Sequence, residues 1–198
     1  MKIKMFFGVL IVALIIISTV FIYYFYKDKN QIGLVGEVHD HADFKLYLNG
    51  NEYNFSQEKY MSSKNKTISN FIHLHDLEGN VIHKHAKGIT LGFFFNTIKM
   101  KFNSTCFILD NEKSYCNQED KTLKLYVNGI RNYKYENYEF KDLDKIIINY
   151  GNDSNKVINK QINSVSNKAC IYSEKCPELG KPPAEASCVG NKDCTMEG

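Results

Sequence analysis

All six histidines of this 198-residue chain occur as His-x-His pairs: His39 and His41, His73 and His75, His83 and His85. Neutral imidazole is the commonest metal-ligating side chain. On a strand, residues i and i+2 point to one face with Cα atoms about 7 Å apart, close enough for two rings to converge on one ion. Imidazole-rich sites suit Zn(II), Cu(II), Ni(II) or Fe(II), with Cu(II) first in the affinity order. Methionine is scarce beyond the N-terminus (Met61, Met100 and Met196), which argues against a thioether Cu(I) site. The expected cofactor is therefore copper or zinc. The expected ligands are His73, His75, His83 and His85 first, with His39 and His41 joining if the fold brings them back. Glu37, Asp40, Asp43 and Asp76 are near enough in sequence to ligate or to orient the rings. The competing reading is a purely structural or pH-responsive imidazole cluster.

The element that must position the last two pairs is a hairpin. In FIHLHDLEGNVIHKH, strand periodicity puts His73 and His75 opposite Ile72 and Leu74, and His83 and His85 opposite Ile82 and Lys84. An odd-numbered loop keeps all four rings on one face. A three-residue loop, Leu77-Glu78-Gly79 with Gly79 left-handed, is the expected form, whereas a two-residue loop would split the pairs between faces. A cupin-like site also uses His-x-His on a strand, but Glu78 follows His75 too closely and no second cupin motif appears.

Around this hairpin the chain reads as α+β. Residues 44–48 alternate like a strand, and Asn49-Gly50 marks a tight hairpin turn. KLYVNG at 124–129 repeats KLYLNG at 45–50, predicting a second hairpin with its return strand at 133–138. Residues 57–70 read as a polar loop with a short helical turn. Thr90 caps a predicted helix in which Leu91, Phe94, Phe95 and Ile98 form an apolar stripe. Residues 145–150 read as the most buried strand, and Ser154 as the cap of a helix to about Val165 with Ile158 and Ile162 inward. The expected architecture is a mostly antiparallel or mixed β domain with one or two helices. It is β-grasp-like as first choice and a small β-sandwich as second.

Residues 5–26 carry no charge and follow Lys2 and Lys4. As a helix they would run about 33 Å, enough to cross a hydrocarbon core. Tyr23, Tyr24 and Tyr26 would lie at the far interface. With no small-residue cleavage site, this reads as an uncleaved signal anchor with the C-terminal domain extracytoplasmic. The expected division is an anchor at 1–29, a linker at 30–38, an external domain at 39–166 and a disulfide-stapled tail at 167–198. Six cysteines behind such a segment read as disulfides. Sequence proximity favours pairing Cys106 with Cys116, leaving Cys170, Cys176, Cys188 and Cys194 to staple the tail among themselves. Cys-x5-Cys is wide for structural zinc, and no Cys-x-x-Cys occurs, which places thiol–disulfide exchange last among the functions. Sequons at Asn54, Asn65, Asn103 and Asn152 permit glycosylation.

Net charge is +3, with 25 basic and 22 acidic residues. No basic stripe stands out, so nucleic acid is excluded as the main partner. The expected partners are the membrane, through residues 5–26, and a surface protein. The run HLHDLEGNVIHKHAKGITLGFFF, the following VNG and the tail ACIYSEKCPELGKPP resemble a family of small, membrane-anchored, His-x-His-rich extracytoplasmic proteins of archaea and candidate-phylum bacteria. That resemblance implies a cell-surface location and carries no catalytic residues. The leading expectation is thus a membrane-anchored, extracytoplasmic metal-binding protein, leaning away from an enzyme. The alternatives are a disulfide-stabilised interaction module without metal and, behind it, a metalloenzyme.

Overall fold

The computed structural model describes residues 2–29, 31–63 and 66–183. The chain forms two compact units, Met1–Gly33 and Leu34–Gly198. The first consists of helix α1 (Lys2–Lys29). Its described side chains, at positions 8 and 10–24, are exposed. Among the described residues no helix is long and apolar enough to cross a membrane.

The second unit is α+β and is organised around strand β1 (Asp40–Leu48). A two-residue turn leads into β2 (Asn51–Glu52), with Asn49 and Gly50 at φ 51° and 81°. Positive φ at both central positions is what a hairpin of this twist requires. The central hairpin is β3 (Ile72–His73) and β4 (Val81–Lys84). Helix α2 (Leu91–Thr97) begins at Thr90, whose hydroxyl accepts the Phe93 N–H, as the capping pattern predicts. A separate three-stranded antiparallel sheet follows, made of β5 (Lys101–Phe102), β6 (Cys106–Ile108) and β7 (Ser114–Cys116). Cys106 and Cys116 face each other across it and are disulfide-bonded. Strands β8 (Thr122–Val127) and β9 (Ile130–Asn132) form the second hairpin on Asn128-Gly129, with φ 51° and 80°. The return strand thus follows the turn directly, and 133–138 is instead a bend containing a 3-10 turn, because the two-residue loop leaves no spacer. Strand β10 (Lys145–Gly151), helix α3 (Asn155–Asn163) and helix α4 (Ala169–Tyr172) complete the described fold. Ser154 precedes α3 but makes no side-chain cap bond.

The main sheet has seven strands in the order β3-β4-β1-β10-β8-β9, with β2 beside β1. At its centre β1 and β10 run parallel, while every other pairing is antiparallel. Even-numbered residues of β1 (Ala42, Phe44, Leu46) stand beside Ile82, Ile146 and Ile148 and pack with Phe94 and Phe95 of α2 in the main core. The odd-numbered residues face the other way. Near β10 and β8 that second face carries a small apolar cluster of Tyr47, Ile147 and Val165, joined by Ile162 of α3. Near β3 and β4 it carries histidines, with α4 against β1.

The stretch expected to be an irregular tail from 167 onward is ordered at its start. Ala169 and Cys170 of α4 are buried, a 3-10 turn spans Pro177–Leu179, and Cys170 is bonded to Cys176. The cause lies far upstream. The buried Asp43 carboxylate accepts the Ser166 hydroxyl and the backbone N–H groups of Lys168 (3.0 Å) and Ala169 (3.1 Å), capping the start of α4 from β1. Cys188 and Cys194 lie outside the described residues, as does the sequon asparagine Asn65.

Candidate metal centre

Register alone gathers the imidazoles. His83 on β4 pairs with His41 on β1 and with His73 on β3, so three rings form one row across three strands. Residues 74–80 join β3 to β4, an odd number, so His73, His75, His83 and His85 share a face as parity requires. The turn itself is not the expected one. Asp76 (φ 53°) and Leu77 (φ 57°) take the left-handed conformations, and Gly79 does not. Gly79 is needed for another reason: a Cβ there would lie 2.3 Å from the backbone nitrogen of Ser56.

The six rings form one connected cluster. Centroids are 4.6 Å apart for His41 and His83, 3.9 Å for His75 and His83, and 5.0 Å for His73 and His85. His39 reaches both His41 (4.5 Å) and His85 (4.9 Å). Five of the six are buried, with His39 exposed at the edge. His39, His41 and His83 each offer a ring nitrogen, and these atoms all lie within 4.8 Å of one another, so this group could hold a metal ion. With Zn–N bonds of about 2.1 Å, ligand nitrogens of a tetrahedral site stand about 3.4 Å apart, so small side-chain rotations would close the set. The grouping differs in weight from the sequence reading, which ranked His39 and His41 behind the hairpin histidines. The reason is the antiparallel β1–β4 pairing, which sets His41 directly against His83.

For neutral rings, the hydrogen bonds of His75, His83, His41 and His73 assign a tautomer to each. The Asp76 carboxylate lies 2.8 Å from Nδ1 of His75, and a carboxylate can only accept, so Nδ1 of neutral His75 is protonated. Its Nε2 must then accept from Nδ1–H of His83, 3.1 Å away. That leaves the lone pair of neutral His83 on Nε2. On the other strand, the Ser173 hydroxyl donates to Asp142 (2.5 Å), and its oxygen accepts from Nδ1–H of His41 at 2.7 Å. The lone pair of His41 is again on Nε2. His73 follows the same rule through the Ser69 carbonyl, at 2.9 Å. Such partners fix ring orientation and raise ligand basicity in metal sites.

Asp142 also accepts the His41 backbone N–H at 2.9 Å and pairs with Lys175 at 2.5 Å. Burial pushes the Asp142 carboxyl up, but the bonds from His41, Lys175 and Ser173 outweigh it and hold the group below the usual carboxylate range. Tyr172 packs edge-on over His83, with centroids 4.8 Å apart at 90°, and also borders His41 and His75. Sequence reasoning missed Tyr172, Ser173 and Asp142. The one available sign was that Tyr172 and Ser173 lie between Cys170 and Cys176, in a loop the disulfide closes.

The acidic residues proposed beside the histidines have other partners, Asp76 excepted. Glu37 pairs with Lys87 at 2.6 Å, Asp40 with the buried Lys84 at 3.0 Å, and Asp43 caps α4. Cys170 and Cys176, considered as zinc ligands, are joined to each other. No protein-family model, curated protein or solved structure matches the chain.

Proposed function

We propose that this chain is a membrane-anchored, extracytoplasmic metal-binding protein that holds copper or zinc on the imidazole face of its sheet. The observation that carries the reading is the His39, His41 and His83 group, with nitrogens mutually within 4.8 Å. Two relays, Asp76–His75–His83 and Asp142–Ser173–His41, orient the rings in the tautomer that binds through Nε2. His73 and His85 back this group as further proposed ligands, while His75, expected from the sequence as a ligand, has both ring nitrogens engaged in the relay. Anchoring rests on the uncharged residues 5–26, and an oxidising compartment on the Cys106–Cys116 and Cys170–Cys176 disulfides. The parallel central pair with a helix packed across one face favours a β-grasp-like arrangement over a sandwich. Likeness to the His-x-His-rich surface proteins named above belongs to the same reading.

Elemental analysis of the purified full chain tests it. The expected result is about one equivalent of Cu or Zn retained after dialysis by the wild type and a loss of at least tenfold in affinity for His83→Ala. Equal metal in both proteins would end the proposal. Zinc held at 100 times the wild-type dissociation constant should add about 2.7 kcal/mol to stability in the wild type and about 1.4 kcal/mol or less in the variant.

A further inference from the structure

A cavity of about 560 Å³ opens beside the three-histidine group. Its walls include His39 and His41, then Tyr172, Ser173 and Glu174, and finally Lys181 with two prolines. Two of the three grouped rings therefore border this space, while His83 is buried behind them. Nε2 of His41 and of His83 are themselves enclosed, so an ion bound among the three nitrogens would meet the cavity on the side of the exposed His39. Three protein ligands with one exchangeable position is the open form of zinc coordination.

The charge balance says what the exchangeable ligand should be. Three neutral imidazoles do not reduce the charge of a divalent ion, which then dominates the local electrostatics. Asp142 is already engaged by Ser173, Lys175 and the His41 N–H. Of the charged side chains lining the cavity, Lys181 would reinforce an anion and Glu174 would oppose one or occupy the position itself. The volume is that of a small-molecule site and far exceeds the space a single water needs. The ring of Tyr172 and the Pro182 and Pro183 rings offer apolar wall beside the polar end.

Building on the metal reading above, we propose that this site is open on its cavity side and takes a small organic carboxylate as exchangeable fourth ligand. The carboxylate sits between the ion and Lys181, with its carbon body against Tyr172 and the prolines. Cobalt(II), whose visible bands report coordination, is the probe. The full chain in mild detergent is loaded with Co(II), its uptake is counted, and propionate is titrated in while the visible spectrum is recorded.

The expected result is a saturable spectral change at one equivalent of bound cobalt. Lys181→Gln should take up cobalt equally and bind propionate about tenfold more weakly, as for loss of one charge-assisted hydrogen bond. Cobalt uptake without a spectral response to propionate overturns this inference and leaves the metal reading standing; Glu174 as the fourth ligand would give that result. Equal propionate affinity in Lys181→Gln overturns it as well. Phosphate binding as tightly as propionate shows a site that reads charge alone and removes the carboxylate assignment. Failure to take up cobalt removes both readings.

Discussion

Ile82 and His83 are neighbours on β4, yet they belong to two different molecules in miniature. Ile82 belongs to the same core as Phe44 and the α2 residues Phe94 and Phe95, built from aromatic and branched aliphatic side chains. His83 faces a layer of imidazoles held by carboxylates, a serine and a tyrosine. The same strands supply both layers, since alternation is a property of backbone geometry. The apolar layer is closed mainly by the packing of its side chains. The imidazole layer is closed by hydrogen bonds, and its cover, α4, is brought in by a cap from Asp43 and tied by a disulfide. One face therefore supplies stability, and the other holds polar groups whose orientation depends on it.

Substitutions on either side should separate these roles. Phe95 is fully buried against Phe44, Phe55, Phe94, Phe102 and Phe107. Phe95→Ala should cost about 3–5 kcal/mol in urea unfolding, and by the same amount with or without added zinc if the native site still forms. A loss under about 1 kcal/mol would mean that the aromatic layer is not the main support. Asp43→Ala should cost less, about 1–3 kcal/mol, by leaving the Lys168 and Ala169 N–H groups without their acceptor. Its distinguishing effect is on metal: with α4 loosened, Ser173 no longer orients His41, so zinc affinity should fall by about tenfold or more. Unchanged affinity in a folded Asp43→Ala protein would show that α4 does not position the site.

The local half of this arrangement was legible in the sequence because it depends on short-range rules. Parity placed His73, His75, His83 and His85 on one face, and that holds although the turn is built by Asp76 and Leu77 instead of Gly79. Asn-Gly marked both tight hairpins, and Thr90 marked the start of α2. Long-range choices were not legible. Nothing local says that β1 pairs with β4 on one edge and runs parallel to β10 on the other. That pairing brings His41 to His83. Ser173 reaching His41 across 132 positions depends on where Asp43 holds α4. Asp40 and Asp43 looked like ligands because they flank His41, but side-chain alternation turns Asp40 to the opposite face, and Asp43 is claimed by backbone donors.

The two faces also differ in how they should respond to acid, and the apolar one offers the cleaner test. At its rim Tyr53 bonds Tyr60 (2.6 Å), Tyr60 donates to Asp110 (2.9 Å), and Lys59 pairs with Asp110 at 2.7 Å. Burial pushes the Tyr60 phenol up to about 12 and Tyr53 higher still, so both stay neutral and Asp110 is the group of this trio that titrates in acid. Burial raises the Asp110 carboxyl, but Lys59 and Tyr60 outweigh it and the net shift is downward. A carboxyl lowered by folding stabilises the native state above its unfolded value, near 3.9, and that contribution disappears as pH falls through the lower folded value. Because Lys59 is half exposed, the effect should stay below about 1 kcal/mol. Asp110→Asn should therefore narrow the stability lost between pH 5 and pH 2 relative to wild type, when both are unfolded in urea with EDTA present. The histidines are common to both proteins and cancel in that difference. Parallel losses in the two would mean that the phenol–carboxylate relay contributes nothing to acid sensitivity.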